Sequence, residues 1–203
     1  MAKRGKFIVL DGKNMLGKSE QAERLVDRLT RSGIRVAHPL KFPVTNLMPT
    51  GPIIDSVLRR GEKMSPYNLQ KLFAQNRRDY EPYLKEILAN GIWVVAENYV
   101  LAGIVWGVTE GVYKGDLEEQ NVGLMEPDIK ILLHGNSFPT SRERNHIFEN
   151  SDKKLAIAGE NFLIFGQEQG YHIVDANQAR ETVAEHIWDV VRGESKKNKW
   201  LKD

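Results

Sequence analysis

Short apolar runs recur along the chain and alternate with longer stretches in which apolar residues repeat at helical spacing. The runs are rich in Ile, Val and Leu, and predict β-strands buried on both faces, as in a parallel sheet. The predicted strands are residues 7–11, 35–40, 92–96, 129–134 and 171–174. The predicted helices are residues 18–31, 53–60, 66–89, 100–108, 153–168 and 179–192. This alternation predicts an α/β fold of three layers, with a five-stranded parallel sheet flanked by helices.

The chain of 203 residues is predicted to form a single domain over 1–203, since no repeat or linker divides it. Two segments depart from the regular pattern. Residues 136–152 are polar and contain Arg142 and Arg144, which predicts a loop or a mobile lid. Residues 194–203 are rich in Lys and predict a solvated tail that frays, with nucleic-acid contact as the minor alternative.

The composition of the chain excludes some kinds of site and gives no support to others. A net charge of +2 does not by itself indicate a nucleic-acid partner, and the absence of cysteine excludes disulfides and thiolate metal sites. The apolar run after the basic N-terminus is too short for a signal or membrane-spanning segment. We therefore expect a cytoplasmic protein with no membrane partner.

The first predicted strand leads into the motif G-x-x-x-x-G-K-S, a phosphate-binding loop. Its glycines let successive backbone N–H groups face phosphate oxygens, and the following helix turns its positive end to the same anion. Lys18 adds a charge for the outer phosphates, and the Ser19 hydroxyl is a ligand for Mg²⁺ bound with ATP. The predicted ATP-binding residues here are Gly12, Lys13, Asn14, Gly17, Lys18 and Ser19.

With this loop in place, the chain resembles the thymidylate kinase family from about residue 6 to about residue 191. The family's landmarks occur in order. They are the loop 11–19, Phe42-Pro43, Leu72-Phe73-Ala74-Gln75-Asn76-Arg77, Gly123-Leu124 with Pro127-Asp128, and Val174-Asp175-Ala176. The resemblance implies a P-loop NTPase fold, a homodimer, and transfer of a phosphoryl group from ATP to dTMP.

The resemblance also implies roles for individual residues. Phe73 would stack on the thymine ring and Arg77 would bond its edge, although a core Phe73 and a surface ion pair of Arg77 are the alternatives. Trp106 would lie beside the sugar, with a buried structural role as its competitor. Asp175, Ala176 and Asn177 would pack near the adenine of ATP, or form a simple strand-end turn.

The sequence departs from the family pattern, above all at two positions where the family binds the phosphate of the acceptor. Thr45 and Asn98 stand where the family has arginines, and Asn14 stands where it commonly has Asp. Charge-assisted hydrogen bonds to phosphate contribute about 1.5–3 kcal/mol each, so both losses should weaken acceptor binding. Lys41, Arg77 and Arg78 are the nearest cations in the motif neighbourhood.

The predicted site is completed by the following residues. The acceptor set is Phe42, Pro43, Thr45, Phe73, Arg77, Asn98, Tyr99 and Trp106. The catalytic set is Lys18, Glu97, Arg142 and Arg144, with Ser19 and Glu97 at the metal. Because Met15 occupies the loop position where some family members carry an arginine, Arg142 or Arg144 would neutralise charge on the transferred phosphoryl group.

Three functions are consistent with this pattern. The first is a dTMP kinase. The second is a kinase with a shifted acceptor, such as thymidine or a hydroxyl-bearing modified pyrimidine that could lie in DNA, for which Glu97 would be a general base. The third is a nucleotide-binding protein with little kinase activity, for which the lost arginines would be a sign of degeneration.

Overall fold

The computed structural model describes residues 3–138, 147–148 and 151–200. A five-stranded sheet forms from short strands in which nearly every residue of the central ones is apolar. The strands are β1 (Phe7–Asp11), β2 (Leu40–Lys41), β3 (Val94–Glu97), β4 (Ile129–His134) and β5 (His172–Asp175). Their order is β2-β3-β1-β4-β5 and every pairing is parallel, which confirms the predicted sheet.

Seven helices connect and cover the strands in the described part of the chain. They are α1 (Lys18–Arg31), α2 (Thr50–Arg59), α3 (Pro66–Ala89), α4 (Val100–Thr109), α5 (Lys114–Asn121), α6 (Asp152–Glu168) and α7 (Arg180–Lys197). The start of α3 illustrates the local signals, because the Ser65 side chain accepts a hydrogen bond from the amide of Asn68 and Pro66 opens the first turn. None of the helices in residues 3–200 that the structure describes is long and apolar enough to cross a membrane.

The helices form a layer on each face of the sheet. On one face, Ile8 and Leu10 of β1 pack with Leu25 of α1 and Ile187 of α7. On the other face, Phe7 and Val9 pack against α3, while α4 and α6 join a second apolar cluster around Leu132. Because successive side chains of β1 point to opposite faces of the sheet, this strand contributes to the core on both sides. It therefore lies at the centre of a three-layer sandwich.

Several element bounds differ from the prediction. The second strand was expected at 35–40, but β2 is Leu40–Lys41 and Val36 makes only an isolated bridge to Trp93. At this edge of the sheet, Leu40 is half-buried and Lys41 exposed, so an apolar pattern is weak. The helix α5 was missed because Leu117 is its single buried residue, which leaves no periodic apolar face to detect.

The predicted fraying tail is wrong for residues 194–200. Helix α7 continues to Lys197, and Ser195 is fully buried in its last turn. Beyond the helix, the Trp200 ring meets Trp93 edge to face at 6.3 Å, and Lys6 Nζ lies 4.0 Å from the Trp200 ring centroid. Trp200 therefore holds the residues after α7 against the residues that precede β1 and β3.

Candidate active site

The carboxyl ends of the strands meet at one edge of the sheet, where ligands bind in open α/β sheets. A cavity of about 880 Å³ lies over this edge. It is lined by the phosphate-binding loop from Asn14 to Ser19, by the ends of β2 and β3 at Lys41 and Glu97, and by α3 and α4. One space therefore joins the motif that binds phosphate to the residues expected to bind an acceptor.

The loop that follows β1 takes the shape that the motif predicts. Gly12, Met15 and Gly17 have φ angles of 145°, 62° and 73°, so the backbone turns through the left-handed region before α1 begins. Lys18 is buried and its ammonium donates to the carbonyl oxygens of Gly12 (2.9 Å) and Lys13 (2.7 Å). The Lys18 charge is thus held over the loop that would cradle the phosphates.

Ser19 and Glu97 lie together as predicted. The Ser19 hydroxyl donates to Glu97 Oε2 at 3.0 Å, and Glu97 is buried at the end of β3. A hydroxyl beside a carboxylate suits Mg²⁺, which keeps several waters and is held by one or two carboxylates and substrate phosphates. Within the described residues no cluster of three or more His, Cys, Asp or Glu is arranged to hold a metal by itself. The donor set therefore fits an ion that arrives with a nucleotide.

Asp11 links the loop to the turn after β3. Its carboxylate accepts hydrogen bonds from the Tyr99 amide (3.0 Å) and the Tyr171 hydroxyl (2.9 Å) in a fully buried site. Burial raises the pKa of Asp11 from 3.8 to about 6, against these hydrogen bonds and the nearby charges of Lys18 and Arg77, which lower it. The carboxyl thus fixes the backbone that presents Glu97 and Asn98.

Aromatic side chains that the sequence predicts at the acceptor form part of the cavity wall. Phe73 on α3 and Trp106 on α4 both line it, and Met15 of the phosphate-binding loop packs in the same apolar cluster. The Trp106 ring stacks on the ring of Phe148, which also lines the cavity. Phe73 therefore belongs to the core and to the cavity wall at once, so the two interpretations of it do not exclude each other.

Arg77 lies at the floor of the cavity and not in a surface ion pair. Its guanidinium donates to the Tyr99 carbonyl (2.8 Å) and to Asn121 Oδ1 (3.0 Å), and the residue is 4% exposed. Burial lowers the pKa of Arg77 to about 10, while the neighbouring Tyr99, Asp11 and Tyr171 oppose the shift. It remains a cation at neutral pH, held rigidly by uncharged acceptors.

The residues that replace the family arginines both face the same cavity. Thr45 is exposed on the loop before α2, and Asn98 follows β3 with a φ angle of 59°. Buried Asn76 fixes that loop, because its side chain accepts from the Val44 amide (2.7 Å) and donates to the Val44 carbonyl (3.1 Å). Thr45 and Asn98 therefore both lie in the cavity lining, but neither side chain carries a charge.

Other cations face this space. Lys41 lines the cavity, and so does Arg59 at the end of α2, which the sequence interpretation missed. Arg59 donates to Asp55 Oδ1 at 3.1 Å, and the other oxygen of Asp55 accepts from Arg60 at 2.9 Å. Arg78 instead donates to backbone carbonyls of Gln120 and Val122, and is not among the residues that line the cavity.

Of the remaining predicted site residues, some line the cavity and others do not. Tyr99 is not among the lining residues, because its ring packs in the core against the rings of Phe7 and Phe42, with centroid distances of 5.1 and 5.2 Å. The residue therefore contributes to the site through its backbone. Phe42 and Pro43 line the cavity, although Phe42 is itself only 1% exposed. Lys13 is part-buried, with its stem packed against Gly159 of α6.

The segment 175–177 lies at the end of β5. Asp175 Oδ1 accepts from the Asn177 amide at 2.9 Å, which makes the strand-end turn, and Ala176 is buried in the core. Asn177 in turn bonds both the amide (2.6 Å) and the carbonyl (3.0 Å) of Asn136. These residues thus anchor the start of the predicted lid; contact with an adenine stays a prediction.

Arg142 and Arg144 lie outside the described residues, but both flanks of their segment are anchored beside the cavity. On one side the Phe138 amide donates to the Met15 carbonyl at 2.7 Å, and the Ser137 hydroxyl donates to the Asn14 carbonyl at 3.2 Å. On the other side the Ile147 amide donates to the Leu58 carbonyl at 3.3 Å. The described residues on either side of this segment therefore lie at the phosphate-binding loop and at the end of α2.

The sequence and the fold are similar to those of known proteins. The family model described as thymidylate kinase matches residues 10–187. The thymidylate kinase of Homo sapiens is 29% identical over 195 residues, which are 92% of this chain and 89% of the human one. That of Plasmodium falciparum is 29% identical over 192 residues, with 91% and 89% covered. The structure of thymidylate kinase from Candida albicans superposes with a TM-score of 0.75 at 21% identity, covering 100% of this chain and 97% of that one.

Proposed function

Because the chain belongs to the thymidylate kinase family, we propose that it transfers the terminal phosphoryl group of ATP to dTMP, giving ADP and dTDP. The observation that carries this proposal is the single cavity that Lys18, Phe73 and Arg77 all line. Phosphoryl transfer depends on positioning and on neutralising charge, so a donor site and an acceptor site must open into one space.

At the donor end, the loop amides and the start of α1 would bind the β- and γ-phosphates of ATP. Lys18 would exchange its bonds to the Gly12 and Lys13 carbonyls for bonds to phosphate oxygens. Ser19 and Glu97 would hold Mg²⁺, which would offset the negative charge of the phosphates. The nucleophile is already a phosphate oxygen, so Glu97 has no proton to remove in this reaction.

At the acceptor end, Phe73 would stack on the thymine ring and Arg77 would donate to its edge. The acceptor phosphate needs cations that Thr45 and Asn98 do not supply. We propose that Lys41 and Arg59 supply them, since both line the cavity. If Arg59 turns to the phosphate, Asp55 keeps Arg60 as a partner.

Arg142 or Arg144 would close over the transferred phosphoryl group. The support for this role is the anchoring of both flanks of the segment, at Met15 and at Leu58, beside the cavity. An arginine at this point would stabilise the charge that spreads over the equatorial oxygens in the transition state.

We also propose that the protein acts as a homodimer and in the cytoplasm. Ile157 and Ile164 are 40% and 50% exposed and lie seven residues apart on one side of α6, which suits a buried helix face between two copies. Ile164→Glu should shift the protein toward the monomer in sedimentation equilibrium. A dimer unaffected by this change would mean that another face is used.

The two other candidate functions have less support. The comparisons favour neither a kinase acting on thymidine or a modified pyrimidine nor a protein without turnover. ADP release with Mg-ATP should be measured with dTMP, dUMP, dCMP, dGMP, dAMP and thymidine. Selective turnover of dTMP supports the proposal. Turnover of thymidine alone would support a shifted acceptor, and tight Mg-ATP binding without turnover would support a non-catalytic protein.

A further inference from the structure

Glu20 brings a carboxylate to the cavity beside the phosphate-binding loop. It follows Ser19 directly, in the first turn of α1, and it lines the cavity together with Lys18 and Ser19. The proposed function gives Lys18 and Ser19 roles at the phosphates of ATP and at Mg²⁺, but it gives none to Glu20. Because a carboxylate next to a triphosphate is repelled unless cations offset its charge, Glu20 is expected to have cations of its own.

Two arginines pair with the Glu20 carboxylate. Arg24, one turn later on α1, donates to Glu20 Oε1 from Nε at 3.1 Å and from Nη2 at 3.0 Å. Arg180, the first residue of α7, places its Nη1 3.6 Å from the same oxygen. The Glu20 side chain is 39% exposed, and in the part of the chain that the structure describes its other oxygen, Oε2, accepts no hydrogen bond. The charge of Glu20 is thus offset at one oxygen, while the other is available to a ligand.

Glu20 lies between the two ends of the nucleotide as the proposed function places it. On one side it is the chain neighbour of Ser19, which would ligate the metal at the outer phosphates. On the other side it contacts Arg180, which follows Asn177 and the turn predicted to meet adenine. The Gln21 amide fixes this junction, because its nitrogen donates to the Arg180 carbonyl at 3.0 Å. In ATP the α-phosphate and the ribose connect the outer phosphates to adenine, so they would cross the space beside Glu20.

We propose that Glu20 is a specificity-determining residue that accepts a hydrogen bond from a hydroxyl of the donor ribose, and so selects a ribonucleotide as the phosphoryl donor. This inference rests on the proposed function, because it concerns the nucleotide bound at the same phosphate-binding loop. An ionised carboxylate only accepts hydrogen bonds, and a ribose hydroxyl can donate one. The same pairing recurs where carboxylates bind the ribose of dinucleotides at α/β sheets. The α-phosphate is not an alternative partner, since it has no proton to donate at neutral pH.

The test compares Glu20→Ala with Glu181→Ala by calorimetric binding of ADP, 2′-deoxy-ADP and 3′-deoxy-ADP in the presence of Mg²⁺. Glu181 is the matched control, because it also lies in the first turn of a helix and pairs with Arg24, at 3.4 Å, but is not among the residues lining the cavity. We expect the wild type and Glu181→Ala to bind ADP about tenfold or more tightly than at least one deoxy analogue. In Glu20→Ala this preference should fall to about twofold or less. A loss of helix or ion-pair stability alone would weaken binding of all these ligands equally and leave the ratio unchanged.

This binding measurement needs no turnover, so it separates the role of Glu20 from the kinase function. If the wild type transfers no phosphoryl group to dTMP, but Glu20→Ala loses the preference for ADP, the proposed function fails and the role of Glu20 is supported. If the wild type phosphorylates dTMP, but Glu20→Ala keeps the preference or the wild type has none, the role of Glu20 is overturned while the kinase function stands.

Discussion

The rings of Trp106 and Phe148 stack with their centroids 4.6 Å apart and their planes inclined by 16°. Trp106 belongs to α4, whereas Phe148 follows the segment that contains the proposed lid arginines. The stack therefore connects α4, which forms part of the cavity wall, to the residue that follows that segment. An aromatic pair of this kind contributes about 0.5–1.5 kcal/mol beyond its buried area.

Replacing Phe148 with Ala should loosen both parts of the site that the stack connects. We expect KM for dTMP to rise several-fold and kcat to fall, while the affinity for ATP measured by calorimetry changes little. The control is Phe138→Ala, which keeps the backbone amide that donates to Met15 and removes a ring that is 37% exposed. Equal effects of the two substitutions would contradict a specific role of the stack.

The Lys18 ammonium is held by two loop carbonyls, so its removal should affect catalysis much more than folding. We expect Lys18→Met to lower kcat by at least about 100-fold, because the charge developing on the transferred phosphoryl group loses a fixed cation. Thermal unfolding followed by circular dichroism should show a change of only a few degrees. A variant that stays folded and keeps wild-type kcat would contradict the role given to this loop.

The acceptor-phosphate cations are tested by Arg59→Gln and Lys41→Gln. Each charge-assisted hydrogen bond to phosphate contributes about 1.5–3 kcal/mol, so each change should raise KM for dTMP by about 10- to 100-fold. Binding of thymidine, which lacks the phosphate, should be unaffected. Arg60→Gln is the matched control, because Arg60 also pairs with Asp55 but is not among the residues lining the cavity.

If Arg60→Gln weakened dTMP binding as much as Arg59→Gln, the effect would come from Asp55 and the end of α2. If neither Arg59→Gln nor Lys41→Gln changed KM, the phosphate would have to be bound by other residues, and Lys41 and Arg59 would lose their proposed roles. Thr45→Arg adds a further check, since a charge at the family position should lower KM for dTMP and leave thymidine unchanged.

Asp11 should make a measurable contribution to the dependence of stability on pH. Burial raises its pKa from 3.8 to about 6, so the folded protein keeps the Asp11 proton to a higher pH than the unfolded chain does. The stability contributed by the protonated carboxyl is fully present below pH 3.8 and is lost as pH rises through about 6. This shift corresponds to about 3 kcal/mol.

The comparison with Asp11→Asn isolates this contribution, since the amide does not titrate. We expect the free energy of unfolding of the wild type, relative to Asp11→Asn, to fall by about 3 kcal/mol between about pH 4 and about pH 7. Urea unfolding at a series of pH values measures it. A difference between the two proteins that stays constant over this range would show that Asp11 does not titrate abnormally.

Prediction from sequence succeeded where a local pattern has a physical cause. The phosphate-binding loop is recognisable because glycines at fixed spacing are needed for its backbone, and α1 and α3 were predicted with their observed bounds. Prediction failed where burial comes from tertiary contacts. Trp200 anchors a Lys-rich end by meeting Trp93, a contact across more than half of the chain that no local pattern records.

The candidate site shows the same division. Phe73 and Arg77 were identified because they belong to a recognisable segment, and both line the cavity. Arg59 belongs to no motif, and its exposure to the cavity depends on how α2 packs.

The central claim is that a phosphoryl group passes from ATP to the phosphate of dTMP in the cavity shared by Lys18 and Arg77. Its most direct test is to follow label from the γ-phosphate of ATP into products, with Mg²⁺, using dTMP and thymidine as separate acceptors. We predict one labelled dTDP for each ADP formed from dTMP, no labelled product from thymidine, and loss of label transfer in Lys18→Met. Label transferred to thymidine but not to dTMP, or to neither, would contradict this account.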